Sequence, residues 1–326
     1  MTGKELDPLY DAIAQNRSDW DKMEQYARGL TGVGFYPAVS SKYDQRRPLH
    51  NGQSFFTTYD EAPNHNAMQT YSLCHVGVPL TMDVKNAYGA VFVGDLPDGY
   101  TDEELLGFLK KSVIVDHTAL KAFERRGLGK YFGVRTVGDE IQDSAAEYYT
   151  DCEFNKGFEN VARDVHPAFY GGGACLLEAF SPGVIPLSVL KDPKFRELGL
   201  GAALYENELG GRVCVFGYAA YQKIDSLGKL VQIRNVERFL TGNGELTWFI
   251  EPCLAAQFVR SNGKKTMATI INLSLDPLNN EHFSIRGAQK ARLLKNGAES
   301  YITADADGVF SLPVLLPFET CTLLTE

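Results

Sequence analysis

Six cysteines (74, 152, 175, 214, 253 and 321) and six histidines (50, 65, 75, 117, 166 and 282) are the side chains of this chain best suited to nucleophilic or metal chemistry. No two cysteines form a C-x-x-C pair, and the histidines are scattered rather than clustered at ligand spacing. A thiol nucleophile needs a base within hydrogen-bond reach. Cys74-His75 sits late in a predicted helix, where neighbours point about 100° apart, so the two do not face each other. Cys175 follows the glycine triplet 171–173, but the downstream LLEAFS reads as a strand, which favours a packed thiol. His50 and His65 share a polar loop, and two ligands do not make a metal site. Asp305-Ala306-Asp307-Gly308 lacks the remaining ligands of a calcium loop and reads as a hairpin turn. Glu178, Glu206 and Glu208 lie in or near strands, but nothing in the sequence pairs them as glycoside hydrolysis requires. We assign no catalytic, cofactor-binding or metal-ligating residue. Tyr148, Tyr149, Tyr170 and Trp248 are the candidates for stacking on a sugar ring.

The stretch VIVDHTALKAFERRGLGKYFGV, residues 113–134, is the most regular part of the chain. It reads as a buried strand, a helix capped by Asp116, a stop at Gly127 with Leu128 packing back on Phe123, and a second strand. Strand-to-helix corners of this kind hold the nucleophile of many α/β enzymes, flanked by small residues. Here the corner is Val115-Asp116-His117-Thr118-Ala119, without Cys or flanking Gly. His117 is expected to be a helix N-terminal residue, partly exposed at a surface or interface.

The elements that position these residues fall into three segments. Residues 1–30 are largely helical, with Ser18 as a possible cap inside the segment and Trp20, Met23, Ala27 and Leu30 at near-helical spacing. Residues 31–242 alternate strands and helices: strands at 33–39, 79–82, 88–93 and 112–115, and helices at 66–76, after the capping box Thr101–Glu104, and at 226–240. Near-continuous apolar strands separated by helices predict a parallel sheet covered on both faces. Residues 138–173 interrupt this as an irregular, polar excursion. Short strand candidates follow at 175–180 and 184–189, then a hairpin joining 202–205 to 212–216. After Gly242 the texture changes to short strands at 246–250, 254–259, 266–273, 282–285, 291–294, 308–312 and 320–324, with Asn262-Gly263 and Asn296-Gly297 as hairpin dipeptides. That spacing predicts a small antiparallel β-sandwich over 243–326.

Composition narrows the classes of function. The 326 residues are 44% hydrophobic and 22% charged, with 32 basic against 41 acidic side chains and a net charge of −9. An acidic chain without a Lys/Arg run argues against a nucleic-acid or anionic-membrane partner. No window approaches a membrane span, and the N-terminus has no apolar signal core. Four cysteines lie in apolar stretches, so reduced buried thiols and a cytoplasmic location are expected. No phosphate-cradling glycine motif is present, so no nucleotide or flavin cofactor is expected.

Residues 113–134 resemble the strand and D-G-x-A-L-x-x-L-x-x-R-G-L-G pattern of the middle domain of glycoside hydrolase family 42 β-galactosidases. GDLPDGYTDEELLGFLKKS and GGRVCVFGY resemble the same domain. FVRSNGKKTMATIINLS and LPVLLPFETCTLLTE resemble the small C-terminal β domain. The likeness covers about residues 31–326, with His117 where that pattern has Gly and the 138–173 excursion unmatched. It implies a flavodoxin-like or class I amidotransferase-like α/β domain that has lost its nucleophile and serves assembly. A β-sandwich would follow it, and the catalytic carboxylates would sit on a (β/α)₈ barrel not represented among the matched segments. The implied role is a noncatalytic assembly or accessory portion of a glycosidase-like protein, partnered by further copies or by a barrel, with carbohydrate as a possible ligand. Two alternatives stay open: a stand-alone amidotransferase-like hydrolase using Cys175 or Cys74, and a carbohydrate-binding module.

Overall fold

The structure, a computed structural model, describes residues 7–39, 71–141, 146–164, 173–218, 224 and 226–325. Helix α1 spans Asp7–Ala27 without a break, so Ser18 lies inside it and does not cap it. Exposed Trp20 is not part of its packing face. Met23, Tyr26 and Ala27 instead pack with Leu30, Met267 and Leu324. Polar contacts fix the helix to the C-terminal unit: Lys22 pairs with Glu299 at 3.3 Å, and the Asp19 carboxylate accepts from the Gly297 amide at 2.8 Å.

Strand β1 (Thr31–Pro37) is shared by both halves of the molecule. Its first three residues pair antiparallel with Ser261–Val259, and from Gly34 onward it pairs in parallel with Ala87–Val91. Gly34 makes the crossing possible. Its φ is +152°, and a Cβ there would meet the Pro79 carbonyl oxygen at 2.3 Å. Only glycine tolerates that combination. The expected strand at 79–82 contributes a single bridge, Phe35 to Leu80. Of the helix expected at 66–76, a 3₁₀ turn at Tyr71–Val76 falls within the described residues.

β2 (Ala87–Phe92), β3 (Ser112–Val115) and β10 (Arg212–Phe216) continue the parallel run in the order β1-β2-β3-β10. Alternation puts Phe92, Val113 and Val115 on one face and Val91, Ile114 and Cys214 on the other. Helices α2 (Asp102–Leu109) and α3 (His117–Arg125) cover the first face, where the Phe92 ring meets Phe108 and Phe123 edge-on at 5.6 and 5.4 Å. Helix α4 (Leu227–Thr241) covers the second, where Ser112 Oγ donates to the Leu240 carbonyl. The capping box at Thr101 and Glu104 and the cap at Asp116 form as the sequence suggests. So does the stop after α3: Gly127 has φ +72°, and the Leu128 amide donates to the Phe123 carbonyl at 2.9 Å.

The sheet is mixed, not the parallel one expected. Beyond β10 it runs antiparallel through β9 (Glu197–Glu206), β8 (Ile185–Lys191), β5 (Ala146–Tyr149) and β6 (Ala162–Asp164), with β4 (Val134–Ile141) and β7 (Ala174–Ala179) as a side hairpin. The 138–173 excursion therefore contributes sheet, because its strands pair with distant segments that no local period reveals.

The C-terminal unit has two antiparallel sheets. One joins β12 (Ala255–Ser261), β13 (Thr266–Asn272), β18 (Thr320–Thr325), β15 (Lys290–Lys295) and β16 (Ala298–Thr303), and the other joins β11 (Thr247–Phe249), β14 (His282–Ile285) and β17 (Val309–Ser311). Their inner faces close on Phe249, Ile270, Phe283, Leu293, Phe310 and Leu323. β16 escapes a hydrophobic reading because its first four residues are exposed. A separate, larger core fills the α/β part.

Candidate functional site

The strand-to-helix corner comes first. The Asp116 carboxylate accepts from the Ala119 amide at 2.7 Å, and both its oxygens accept from the Gly94 amide, at 3.0 and 3.2 Å. One side chain thus caps α3 and ties it to the end of β2. His117, expected to be partly exposed, is only 7% exposed. Burial lowers its pKa below the usual imidazole value, with Asp116 and Glu140 pulling the other way, so the ring is neutral at pH 7. No thiol stands at this corner, and its one hydroxyl is that of Thr118. The Asp116 oxygens hold backbone amides, whereas the buried His117 Nδ1 has no hydrogen-bond partner among the described residues.

Four of the thiols are shifted away from activation. Burial pushes Cys74 up to about 11 and Cys321 to about 12, and it raises Cys214 and Cys253 further. Cys175 is fully buried in β7. An activated thiol requires the opposite environment, electropositive and partly exposed. Of the acids, Glu178 pairs with Arg135, Glu206 with Arg212 and Glu208 with Lys130. Among the described residues no three His, Cys, Asp or Glu converge as a metal set. The Asp305 carboxylate accepts from the amides of Asp307 and Val309, the expected turn.

The densest polar chemistry lies where sequence reading placed none. Lys229 on α4 is completely buried. Its Nζ lies 3.1 Å from Glu147 on β5, 2.9 Å from the Tyr218 hydroxyl and 2.6 Å from Gln232 Oε1. The rings of Phe216, Tyr218 and Tyr149 surround it at 5.0, 5.5 and 5.7 Å. Arg163 on β6 approaches the other Glu147 oxygen at 3.2 Å. Gln232 then donates to Asn155, whose own amide donates to the Leu187 carbonyl. Burial raises the Glu147 pKa, but Lys229 and Arg163 outweigh it, so the carboxyl stays below its usual range. Burial brings Lys229 down to about 8, with Glu147 opposing. These contacts clamp β5, β6 and the 3₁₀ turn Glu153–Asn155 onto α4. The sequence carried one signal: Lys229 and Gln232 sit i, i+3 on the face that Val236 and Leu240 continue, a place normally apolar.

The three described sugar-stacking candidates do not form one site. Tyr149 is 2% exposed, its ring packed where a Cβ on Gly228 would come within 2.8 Å. Tyr148 is half-buried under the Lys191 ammonium at 4.1 Å, and Trp248 lies in the C-terminal unit beneath the Arg286 guanidinium at 5.6 Å. Tyr170, like His50, His65 and His166, lies outside the described residues.

Two clefts open on the surface. One, about 370 Å³, lies at the end of α4 among Glu153, Phe154, Glu206, Arg212, Asn235 and Arg238. The other, about 380 Å³ and mainly apolar, lies along Pro37, Leu80, Met82, Ala256, Phe258 and Ile271.

No family model and no curated protein matches the sequence. Solved structures do resemble the fold. α-L-Fucosidase isoenzyme 2 from Paenibacillus thiaminolyticus superposes with a TM-score of 0.63 at 11% identity, over 97% of this chain and 51% of the fucosidase. Gan42B, a GH42 β-galactosidase from G. stearothermophilus, superposes with a TM-score of 0.51 at 9% identity, over 91% of this chain and 40% of the enzyme. The β-galactosidase from Bacillus circulans sp. alkalophilus gives 0.50 at 9% identity, over 81% and 37%. At such identity the likeness is one of fold. This architecture is shared with parts of those enzymes, and the chain spans about half the length of these proteins or less.

Proposed function

We propose that this chain is the assembly and accessory portion of a glycosidase-like protein, acting beside a catalytic barrel that supplies the bond-breaking carboxylates. The observation that carries this reading is the fold likeness, which covers nearly all of this chain yet 51% and 40% of two glycosidases. The strand-to-helix corner supports it, since the Asp116 carboxylate braces backbone amides. On this reading 31–242 is a flavodoxin-like or amidotransferase-like domain and 243–326 a β-sandwich. Four parallel strands with helices on both faces favour the first, and the separate hydrophobic cores favour the division. The free, mostly buried cysteines favour a reducing, cytoplasmic setting, and the burial of Cys74 and Cys175 counts against an amidotransferase using either. The sugars would be galactosides or fucosides, the substrates in the names of the structural relatives. Light scattering coupled to gel filtration, on the chain alone and mixed with a glycosidase barrel, tests the assembly role. An oligomer or a mixed complex is expected, and a strict monomer that ignores the barrel contradicts it.

A further inference from the structure

We propose that the cleft at the C-terminal end of α4 binds a neutral polyhydroxylated ligand, a single sugar ring or a polyol of similar size. Its volume of about 370 Å³ lies at the small end of the range for ligand sites. The floor is apolar: Phe154 and Phe239 meet edge-to-face at 5.6 Å. The walls are preorganised. Arg212 pairs with Glu206 at 3.0 Å, donates to the Phe239 carbonyl at 3.2 Å and lies over the Phe239 ring. Gly242 leaves room for it, because a Cβ there would fall 2.2 Å from Nη1. The Asn235 amide donates to the Phe154 carbonyl at 2.9 Å, which leaves its Oδ1 as an acceptor.

Charge and hydrogen-bonding capacity set the ligand class. The lining carries two carboxylates, Glu153 and Glu206, and two guanidinium groups, Arg212 and Arg238, so the cleft has no net charge. A phosphate would meet the carboxylates and the carbonyl end of α4, and an ammonium ion would meet the arginines. The planar groups left over are the Glu153 carboxylate, the second Glu206 oxygen, Asn235 Oδ1 and the Asn243 amide. Together they offer both acceptors and donors around an apolar floor. Hydroxyl groups on a carbon ring satisfy that set, because each both donates and accepts. The Glu153–Asn155 turn holding Phe154 belongs to the excursion that carries Tyr148 and Tyr149, but the ring lining the cleft is the half-buried Phe154, not Tyr149.

The proposal shares the carbohydrate setting of the function proposed above but not its assembly role, so each can fail alone. The test is an NMR titration of the isolated chain with D-galactose, L-fucose and myo-inositol, and separately with inorganic phosphate and putrescine, following the Asn235 and Asn243 side-chain amide signals. At least one neutral probe is expected to move both signals with roughly millimolar affinity. Glu153→Ala and Asn243→Gly, both at exposed positions and the second keeping its left-handed backbone, should each weaken binding about tenfold. No shift with any neutral probe, a response to phosphate or putrescine alone, or variant titrations that overlay the wild type would overturn it.

Discussion

Lys229 shows how far a single residue can depart from its sequence pattern. Burying an ammonium and a carboxylate costs several kcal/mol per ion unless the remaining hydrogen-bonding capacity is met. Here Tyr218, Gln232 and Arg163 meet it. Replacing Lys229 with Met should therefore destabilise the protein by about 3–5 kcal/mol, because Glu147 loses its main partner inside the protein. Replacing both Lys229 and Glu147 with apolar residues should cost clearly less than the sum of the single changes. Urea unfolding of the three variants measures this; a Lys229→Met change within about 0.5 kcal/mol of wild type would show the cluster to be incidental. The pair is 82 positions apart in sequence, so no local period could place it. Asp116, by contrast, was legible because its cap, helix and stop all fall within a few residues.

Between elements, the junction of α4 with the C-terminal unit is the most charged seam. Glu245, 2% exposed, is held by Arg238 at 3.4 Å, Arg286 at 3.6 Å and the Thr241 hydroxyl at 3.0 Å. Glu237 on α4 is 5% exposed; burial first, then the Glu245 charge, hold its carboxyl well above the usual range, with Arg234 offsetting part. A raised folded-state pKa means Glu237 binds its proton more tightly in the folded than in the unfolded chain. Its contribution is complete below the ordinary glutamate pKa of about 4.3 and is lost as pH rises toward the folded value. Glu237→Gln should remove that loss. The variant should gain on wild type between pH 4 and pH 7. Equal wild-type-to-variant differences at both pH values in thermal or urea unfolding would contradict the assignment. Element types at this scale were largely readable, since Asn262-Gly263 and Asn296-Gly297 mark real hairpins. Strand partners were not, because β1 pairs with β12 across more than 200 residues and the period-two pattern does not encode which neighbour a strand finds.

Across the whole molecule, β1 and α1 bind the α/β part to the C-terminal unit. β1 makes one continuous sheet from β16 to β6, and α1 lies against Met267, Leu324 and Glu299. The Asp116 carboxylate at the chain's most enzyme-like corner is committed to backbone amides, and the thiols shifted by burial are shifted away from reactivity. The function proposed above requires that bond breaking be left to a separate catalytic barrel. Its most direct test is turnover of chromogenic β-galactosides and α-L-fucosides by the purified 326-residue chain. The account predicts rates indistinguishable from buffer. Sustained turnover that disappears when one of the chain's own carboxylates or cysteines is replaced would contradict it.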